Sequence, residues 1–385
     1  PGTTEYAMST LVTLPSDDPR VVRDAVRAAI DGGPPIGLGM LDGAGVEVPD
    51  DVAVVIATSG SSGIPKRVML SADALRASAE ATTARIGTGR WVLALPAGYV
   101  AGLQVLVRSL LAGTDPILLD GRFSPMAFAE ATLMHTTGDP LYTSLVPAQV
   151  STLLDAADDA TVRAAVAQYR AILVGGQALP ESVRERAVYA GMRLVRTYGA
   201  SETSGGCVYD GVPLDTVAVR EVDGELQLAG PMLAAGYLGD AELTARTFVS
   251  DEEGLRWYRT GDAGLVDDGV VRVHGRIDNV IVSGGINISL DRVERIVRGI
   301  PGFDRAVVVG VPDARWGEAS VIVLPRGEQL RRSEADHLQQ ARDAVAAEIG
   351  APARPARLIL VDELALLTSG KPDRDAISRL VAELR

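Results

Sequence analysis

The chain has 385 residues, a formal net charge of −13, 4% aromatic residues and one cysteine, Cys207. That length allows two or three domains with a sizeable core, and the acidic balance argues against a nucleic-acid binder, which would carry a basic patch. A lone cysteine excludes an internal disulfide, no Cys/His cluster suggests a zinc site, and no apolar run approaches the ~20 residues of a membrane-spanning helix.

Pro1 to Asp18 shows no basic stretch followed by an apolar one, so nothing reads as a signal peptide and the expectation is a cytoplasmic protein. Residues 52–57 read as a buried strand, and Ser71 caps a helix to about Ile86. A strand over 91–95, an apolar helix near 100–112, a strand over 116–119 and a helix over 124–135 come next. Short strands at 141–145, 171–174 and 194–197, with helices between them, complete an α/β pattern with a largely parallel sheet. From Gly205 to His274, Gly and Asp turns separate short strands, as in an antiparallel β subdomain. The last stretch reads as helix 290–298, strands 306–311 and 319–324, helix 333–349, strand 357–361 and a final helix from Asp373. The expected fold class is α/β. A large N-terminal domain of layered α/β subdomains plus a β subdomain spans 1–274, and a small α+β C-terminal domain spans 275–385.

Thr58-Ser59-Gly60-Ser61-Ser62-Gly63-Ile64-Pro65-Lys66 comes directly after the first of these strands. Glycines let backbone N–H groups approach a polyanion. Hydroxyls add donors that rotate to fit phosphate oxygens, and Lys66 adds a point charge. The spacing G-x-x-x-x-G-K-[ST] is absent, so this is not a Walker A loop. Only two of the 37 basic residues are lysine, Lys66 and Lys371. In an arginine-biased chain, a retained lysine marks a place that needs a compact ammonium on a flexible stem.

The loop resembles the phosphate-binding loop of the adenylate-forming superfamily, which includes acyl-CoA synthetases, peptide-synthetase adenylation domains and luciferases. Gly175-Gly176-Gln177 resembles the adenine-side segment, and Tyr198-Gly199-Ala200-Ser201-Glu202-Thr203 the motif Y-G-x-T-E with Ser201 in place of Thr. Tyr258-Arg259-Thr260-Gly261-Asp262 is similar to Y-R-T-G-D, and Gly275-Arg276-Ile277-Asp278 to the interdomain hinge. Ser283-Gly284-Gly285 with Ile286-Asn287-Ile288 resembles the loop after the hinge, and Gly370-Lys371 the C-terminal lysine motif.

The resemblance implies an enzyme that joins a carboxylic acid to AMP, releasing pyrophosphate, and then passes the acyl group to coenzyme A. Lys371 would bridge the carboxylate and the α-phosphate, Ser201 would donate its hydroxyl to that phosphate, and Glu202 would hold Mg²⁺. ATP would lie against Thr58, Ser59, Gly60, Ser61, Ser62, Gly63, Lys66, Gly176, Gln177, Tyr198, Gly199, Asp262 and Arg276. Within that set Tyr198 packs on adenine, Asp262 accepts both ribose hydroxyls and Arg276 touches the same sugar. For the second step the mobile C-terminal domain would turn about the hinge residue Asp278. Lys371 would withdraw, and Gly284 and Gly285 would help shape the tunnel for the CoA thiol. Read singly, Asp262 is also a turn cap, and Arg276 or Glu202 a surface ion pair.

Residues 95–110 and 205–214 look like o-succinylbenzoate–CoA ligases of menaquinone biosynthesis in a short actinobacterial form. That substrate carries an aromatic ring and two carboxylates. Arg108 is the candidate for the carboxylate that does not react, unless it pairs with a structural acid. The ring would sit against Gly175, Gly176 and the backbone of Ser204, Gly205 and Gly206, with Tyr99 lining the pocket or packing as a surface aromatic. The resembled pattern L-P-x-x-H-x-x-G-L carries a histidine, whereas Gly98 and Tyr99 stand here. Another aryl or fatty acid, or a carrier protein as acyl acceptor, therefore stays open. The partners implied are a small carboxylic acid, ATP and CoA, with no nucleic acid and no membrane span; a homo-oligomer is left open.

Overall fold

The computed structural model describes residues 7–39, 45–58, 66–119, 121–135, 138–313, 316–326, 333–367 and 370–384. Ser59, Gly60, Ser61, Ser62 and Gly63 lie outside the described residues.

The parallel sheet expected from the sequence has seven strands. Five run parallel in the order Leu194–Ala200, Tyr169–Val174, Leu141–Leu145, Arg90–Leu93, Ile117–Leu118. Gly205–Tyr209 and Val212–Pro213 extend one edge antiparallel. Its central strands Leu141–Leu145 and Tyr169–Val174 are the most deeply buried, as expected where helices cover both faces. In Leu141–Leu145 every residue is buried, Leu141 and Leu145 in one core and Tyr142 in the other.

A second sheet holds Val52–Thr58, paired in parallel with Ile36–Leu38 and antiparallel with Lys66–Ser71. The sequence reading passed from strand 52–57 directly to the helix capped by Ser71. The intervening strand is real but short, with Val68 and Leu70 buried between Lys66, Arg67 and Ser71. The glycine–hydroxyl segment therefore closes a β-hairpin rather than joining a strand to a helix. Ser71 does cap Ala72–Ile86, accepting from Ala74 N–H at 3.1 Å.

The antiparallel β subdomain is present, built on the long strand Arg256–Asp267 with Glu225–Ala229, Phe248–Ser250 and Val270–Arg276 beside it. After residues 277–279, Val280–Ser283 and Ile286–Ser289 form a hairpin in a sheet with Gly317–Pro325, Val307–Asp313 and Arg357–Val361. Helices Leu290–Arg298, Glu334–Glu348 and Arg374–Glu383 pack on it. Its two apolar cores draw no described residue from before Ile281. Among the described residues no helix is long and apolar enough to cross a membrane.

Candidate active site

Three neighbouring parallel strands end at Leu145, Val174 and Ala200. The residues just past their carboxyl ends form the site floor: Val146, Gly175 with Gly176, and Ser201 with Glu202. The carboxyl ends of parallel strands are where open α/β sheets bind ligands. Gln149 fixes Val146 by accepting its N–H at 3.1 Å while donating to the Ala94 carbonyl at 2.8 Å.

Lys371 reaches this floor from the C-terminal unit. It ends a tight turn in which Gly370 N–H donates to the Leu367 carbonyl and Leu367 N–H to the Lys371 carbonyl, both at 2.8 Å, with Gly370 at φ 79°. Three residues on, Arg374 anchors the next helix to its own unit, through Glu294 at 2.6 Å and the Val308 carbonyl at 2.8 Å. A Cβ on Gly370 would stand 3.3 Å from Val146 Cγ2, and one on Gly176 would stand 3.0 Å from Lys371 Cε and 3.8 Å from Nζ. The ammonium of one unit thus lies over a glycine of the other. Much of the Lys371 surface remains open to water, as befits a cleft. Desolvation by the surrounding walls nevertheless pulls its pKa below the ordinary lysine value, and the Glu202 charge partly restores it.

Gly176 has φ 82°, and a methyl there would push Lys371 aside. Because a displacement of about 1 Å at a reacting centre can cost about 100-fold, Gly176→Ala is expected to slow adenylate formation 10- to 100-fold. Thiolysis of supplied acyl-adenylate should hold its rate, and equal loss in both half-reactions would contradict this placement.

Ser201–Thr203 forms a single 3₁₀ turn whose geometry Thr203 sets, accepting from Ala200 N–H at 2.8 Å and donating to the Gly205 carbonyl at 2.7 Å. The turn presents Glu202, which is 7% exposed. Tyr237 Oη donates to Glu202 Oε1 at 2.7 Å, while Oε2 makes no hydrogen bond among the described residues. The Ser201 hydroxyl likewise has no described partner. Sequence reasoning missed Tyr237 altogether.

Tyr198 and Asp262 come together as the sequence motifs suggest, in a direct hydrogen bond: Tyr198 Oη donates to Asp262 Oδ2 at 2.7 Å. Burial pushes the Asp262 carboxyl up, and Tyr198 and Arg276 pull it back. Arg276 lies 3.5 Å from Asp262 Oδ1 and 3.0 Å from Asp278 Oδ1, and it donates to the Thr260 carbonyl at 2.8 Å. Its guanidinium holds the Asp278 carboxyl below the usual range. Each carboxylate oxygen accepts about two hydrogen bonds, so Asp262 keeps capacity for ribose hydroxyls. A hollow of ≈ 60 Å³ lies between Tyr198, Tyr258, Asp262 and Arg276.

Thr58 and Lys66 face each other at the mouth of the glycine–hydroxyl loop, the Thr58 hydroxyl donating to the Lys66 carbonyl at 3.3 Å. Lys66 Nζ stands 5.7 Å from the Tyr237 ring centre. Gly199 has a packing reason for its identity, since a Cβ would run into the Gly205 carbonyl across the strand pair. Gly175 is similarly closed against the Thr197 hydroxyl. The Gln177 side chain makes no hydrogen bond among the described residues.

The helix Val100–Leu111, which carries Arg108, packs beside the strand Gly205–Tyr209, which opens at the candidate Gly205. Val100, Gln104 and Arg108 share one helix face at four-residue spacing. Val100 and Gln104 border Gly205, whose Cβ position lies 3.9 Å from Val100 Cγ2 and 3.3 Å from Gln104 Cγ. Ser204 is held at φ 51°, its hydroxyl donating to the Met232 carbonyl at 2.8 Å. Arg108 is 4% exposed, makes no ion pair among the described residues, and leaves Nε without a hydrogen bond. Its guanidinium carbon sits 4.9 Å from the Trp91 ring centre, and burial lowers its pKa. Tyr99 is the half-buried residue at the N-terminal end of this helix. Gly284 and Gly285 stand apart from the Lys371 cluster. Gly284 packs on Trp316, whose Cε3 would be 3.0 Å from an added Cβ, and nothing lies within 4 Å of a Cβ on Gly285.

The hairpin strand opening at Lys66, the turn carrying Glu202, the Tyr198–Asp262 pair and Lys371 are the parts of one candidate site. The family model for AMP-binding enzymes matches residues 42–221, and that for the AMP-binding enzyme C-terminal domain matches residues 292–371. The chain belongs to the AMP-binding enzyme family. It is 39% identical over 347 residues to a Mycobacterium tuberculosis protein named "Probable 2-succinylbenzoate--CoA ligase", covering 88% of this chain and 87% of that one. Among solved structures, a variant of E. coli MenE with bound OSB-AMS superposes with a TM-score of 0.69 at 25% identity, covering 89% of this chain and 72% of that one. ATP-bound MatB from Rhodopseudomonas palustris shares the fold, with a TM-score of 0.73 at 23% identity, covering 89% and 70% of the two chains.

Proposed function

We propose that the chain is an ATP-dependent, AMP-forming 2-succinylbenzoate–CoA ligase of menaquinone biosynthesis. The likeness to ligases so named supports the class, and the substrate reading rests chiefly on one observation: a buried guanidinium without a counter-ion at Arg108. An unpaired buried charge is costly. A substrate with two carboxylates supplies the missing anion at Arg108 and offers its second carboxylate to ATP.

In the first half-reaction the free carboxylate attacks the α-phosphorus, forming a new P–O bond as pyrophosphate leaves with the electrons of the broken one. Two anions meet, so catalysis needs positive charge and donors where negative charge gathers. Lys371 supplies the ammonium from beside Gly176, and Ser201 supplies a hydroxyl. Lys66 and the adjoining loop hold the outgoing phosphates, and Asp262 and Arg276 orient the sugar. Glu202 offers one carboxylate oxygen without a described hydrogen bond, a hard donor that would hold a divalent cation. Mg²⁺ bound there would neutralise phosphate charge. No group of three or more His, Cys, Asp or Glu gathers among the described residues.

In the second half-reaction the CoA thiolate attacks the acyl carbon and AMP leaves. We read residues 275–385 as a unit that turns about Asp278 between the steps, withdrawing Lys371 and bringing in the Gly284–Gly285 turn. Separate apolar cores on either side of the hinge support such movement.

Two measurements test this reading. Thioester formation from free CoA with 2-succinylbenzoate, benzoates and fatty acids should favour 2-succinylbenzoate; activity on fatty acids alone removes that substrate. The second is a pH profile. The working form of Lys371 is protonated, and its pKa lies below the ordinary 10.5, so its proton is lost at lower pH than a surface lysine's. In the adenylation half-reaction kcat/KM, which reports the free enzyme, should therefore fall on an alkaline limb with its midpoint below 10.5. Thiolysis should lack that limb. A profile flat up to the ordinary lysine value contradicts the role.

A further inference from the structure

The Glu202 carboxylate is gripped from one side only. Tyr237 takes Oε1 at 2.7 Å, and Oε2 has no described hydrogen-bond partner. A terminal carboxylate torsion is broad and roughly two-fold, so without an outside contact neither oxygen has a fixed direction. We propose that Tyr237 is a positioning residue which, by occupying Oε1, aims Oε2 of Glu202 at the cation that accompanies ATP and couples that carboxylate to the phosphate hairpin. This rests on the reading of Glu202 as the cation ligand.

The Tyr237 backbone and ring are both held. The two-residue strand Gly236–Tyr237 pairs with Met69 and Val68 of Lys66–Ser71, the strand that leaves the phosphate loop. Tyr237 N–H donates to Thr244 Oγ1 at 2.9 Å, and its ring packs 5.9 Å from that of Phe248. Lys66 Nζ lies 5.7 Å from the same ring, so Tyr237 stands between the loop lysine and the carboxylate. The main chain of Glu202 is braced from the same segment. Ala234 N–H donates to the Glu202 carbonyl at 2.8 Å, and Arg256 holds the carbonyls of Ala234 and Ala235 at 2.7 and 2.8 Å. Tyr237 and Glu202 are 3% and 7% exposed, so little water competes for their bond. Partners that orient a metal ligand typically change metal affinity about 10- to 100-fold when removed.

Tyr237→Phe keeps the ring and deletes only the donor. The experiment is a Mn²⁺ titration of the full chain followed by electron paramagnetic resonance, with a non-hydrolysable ATP analogue bound. In Tyr237→Phe the Mn²⁺ half-saturation should rise about 10- to 100-fold, while affinity for the metal-free analogue stays at the wild-type value. In a Glu202→Gln background the same substitution should add nothing, because the group it orients is already gone. Thr244→Val loosens Tyr237 without touching Glu202. It should raise half-saturation in the same direction by less, and it carries the test if the Phe variant does not fold. Unchanged Mn²⁺ half-saturation in the folded variants, or a Tyr237→Phe loss that persists in full beside Glu202→Gln, overturns the proposal. A wild-type chain that gains no Mn²⁺ affinity from the nucleotide sinks the cation reading of Glu202 itself, and the clamp with it.

Discussion

Replacing Lys371 with alanine should reduce adenylate formation by about 10²–10³-fold or more, the scale of removing one preorganised charge-stabilising group. Thiolysis of separately supplied 2-succinylbenzoyl-adenylate should proceed near the wild-type rate. The asymmetry comes from how the lysine is mounted. It ends a glycine turn belonging to the C-terminal unit and meets the N-terminal floor at Gly176 and, through Gly370, at Val146. A group carried on a movable arm serves the step in which the arm is in place. The residue lies in the exposed class at the edge of the cleft and belongs to neither apolar core of its unit, so the variant should fold. Rapid-quench measurement of each half-reaction checks this. Parallel loss in both would mean that Lys371 stays at the site throughout, or that it acts on the fold.

Arg108→Met should lower kcat/KM for 2-succinylbenzoate by about 2–5 kcal/mol of transition-state binding, the scale of truncating one partner of a buried charge pair. A monocarboxylate analogue lacking the second acid should be nearly indifferent to the change. The free protein should become more stable. Stripping water from a charge costs several kcal/mol, and Arg108 recovers about 0.5–2 kcal/mol from the Trp91 face, with no carboxylate to offset the rest. Methionine fills much of the same volume without that cost. A higher Tm with a selective loss on the dicarboxylate is the expected signature. A lower Tm with equal losses on both substrates would mean that Arg108 is structural.

The residues legible in the sequence were those whose chemistry is local. Glu202, Asp262 and Lys371 each sit in a short segment whose glycines and hydroxyls shape the backbone around them. The structure gathers Glu202 and Lys371 at the ends of three strands, with Asp262 beside Tyr198. Tyr237 was not legible, because the group it serves is 35 residues away in the chain and only the fold joins them. Arg108 was reached through resemblance alone. That it lacks an acid partner could not be read, since pairing depends on which elements pack there. The strand Lys66–Ser71 escaped notice because two cations open it and only Val68 and Leu70 alternate into the core. Missing it hid the hairpin that ties the phosphate loop to Tyr237.

The most direct test is exchange of labelled pyrophosphate into ATP by the wild-type chain without CoA. The account requires exchange that depends on 2-succinylbenzoate, needs a divalent cation and disappears in Lys371→Ala. Absence of exchange across a broad panel of acids, or exchange that survives loss of Lys371, would contradict it.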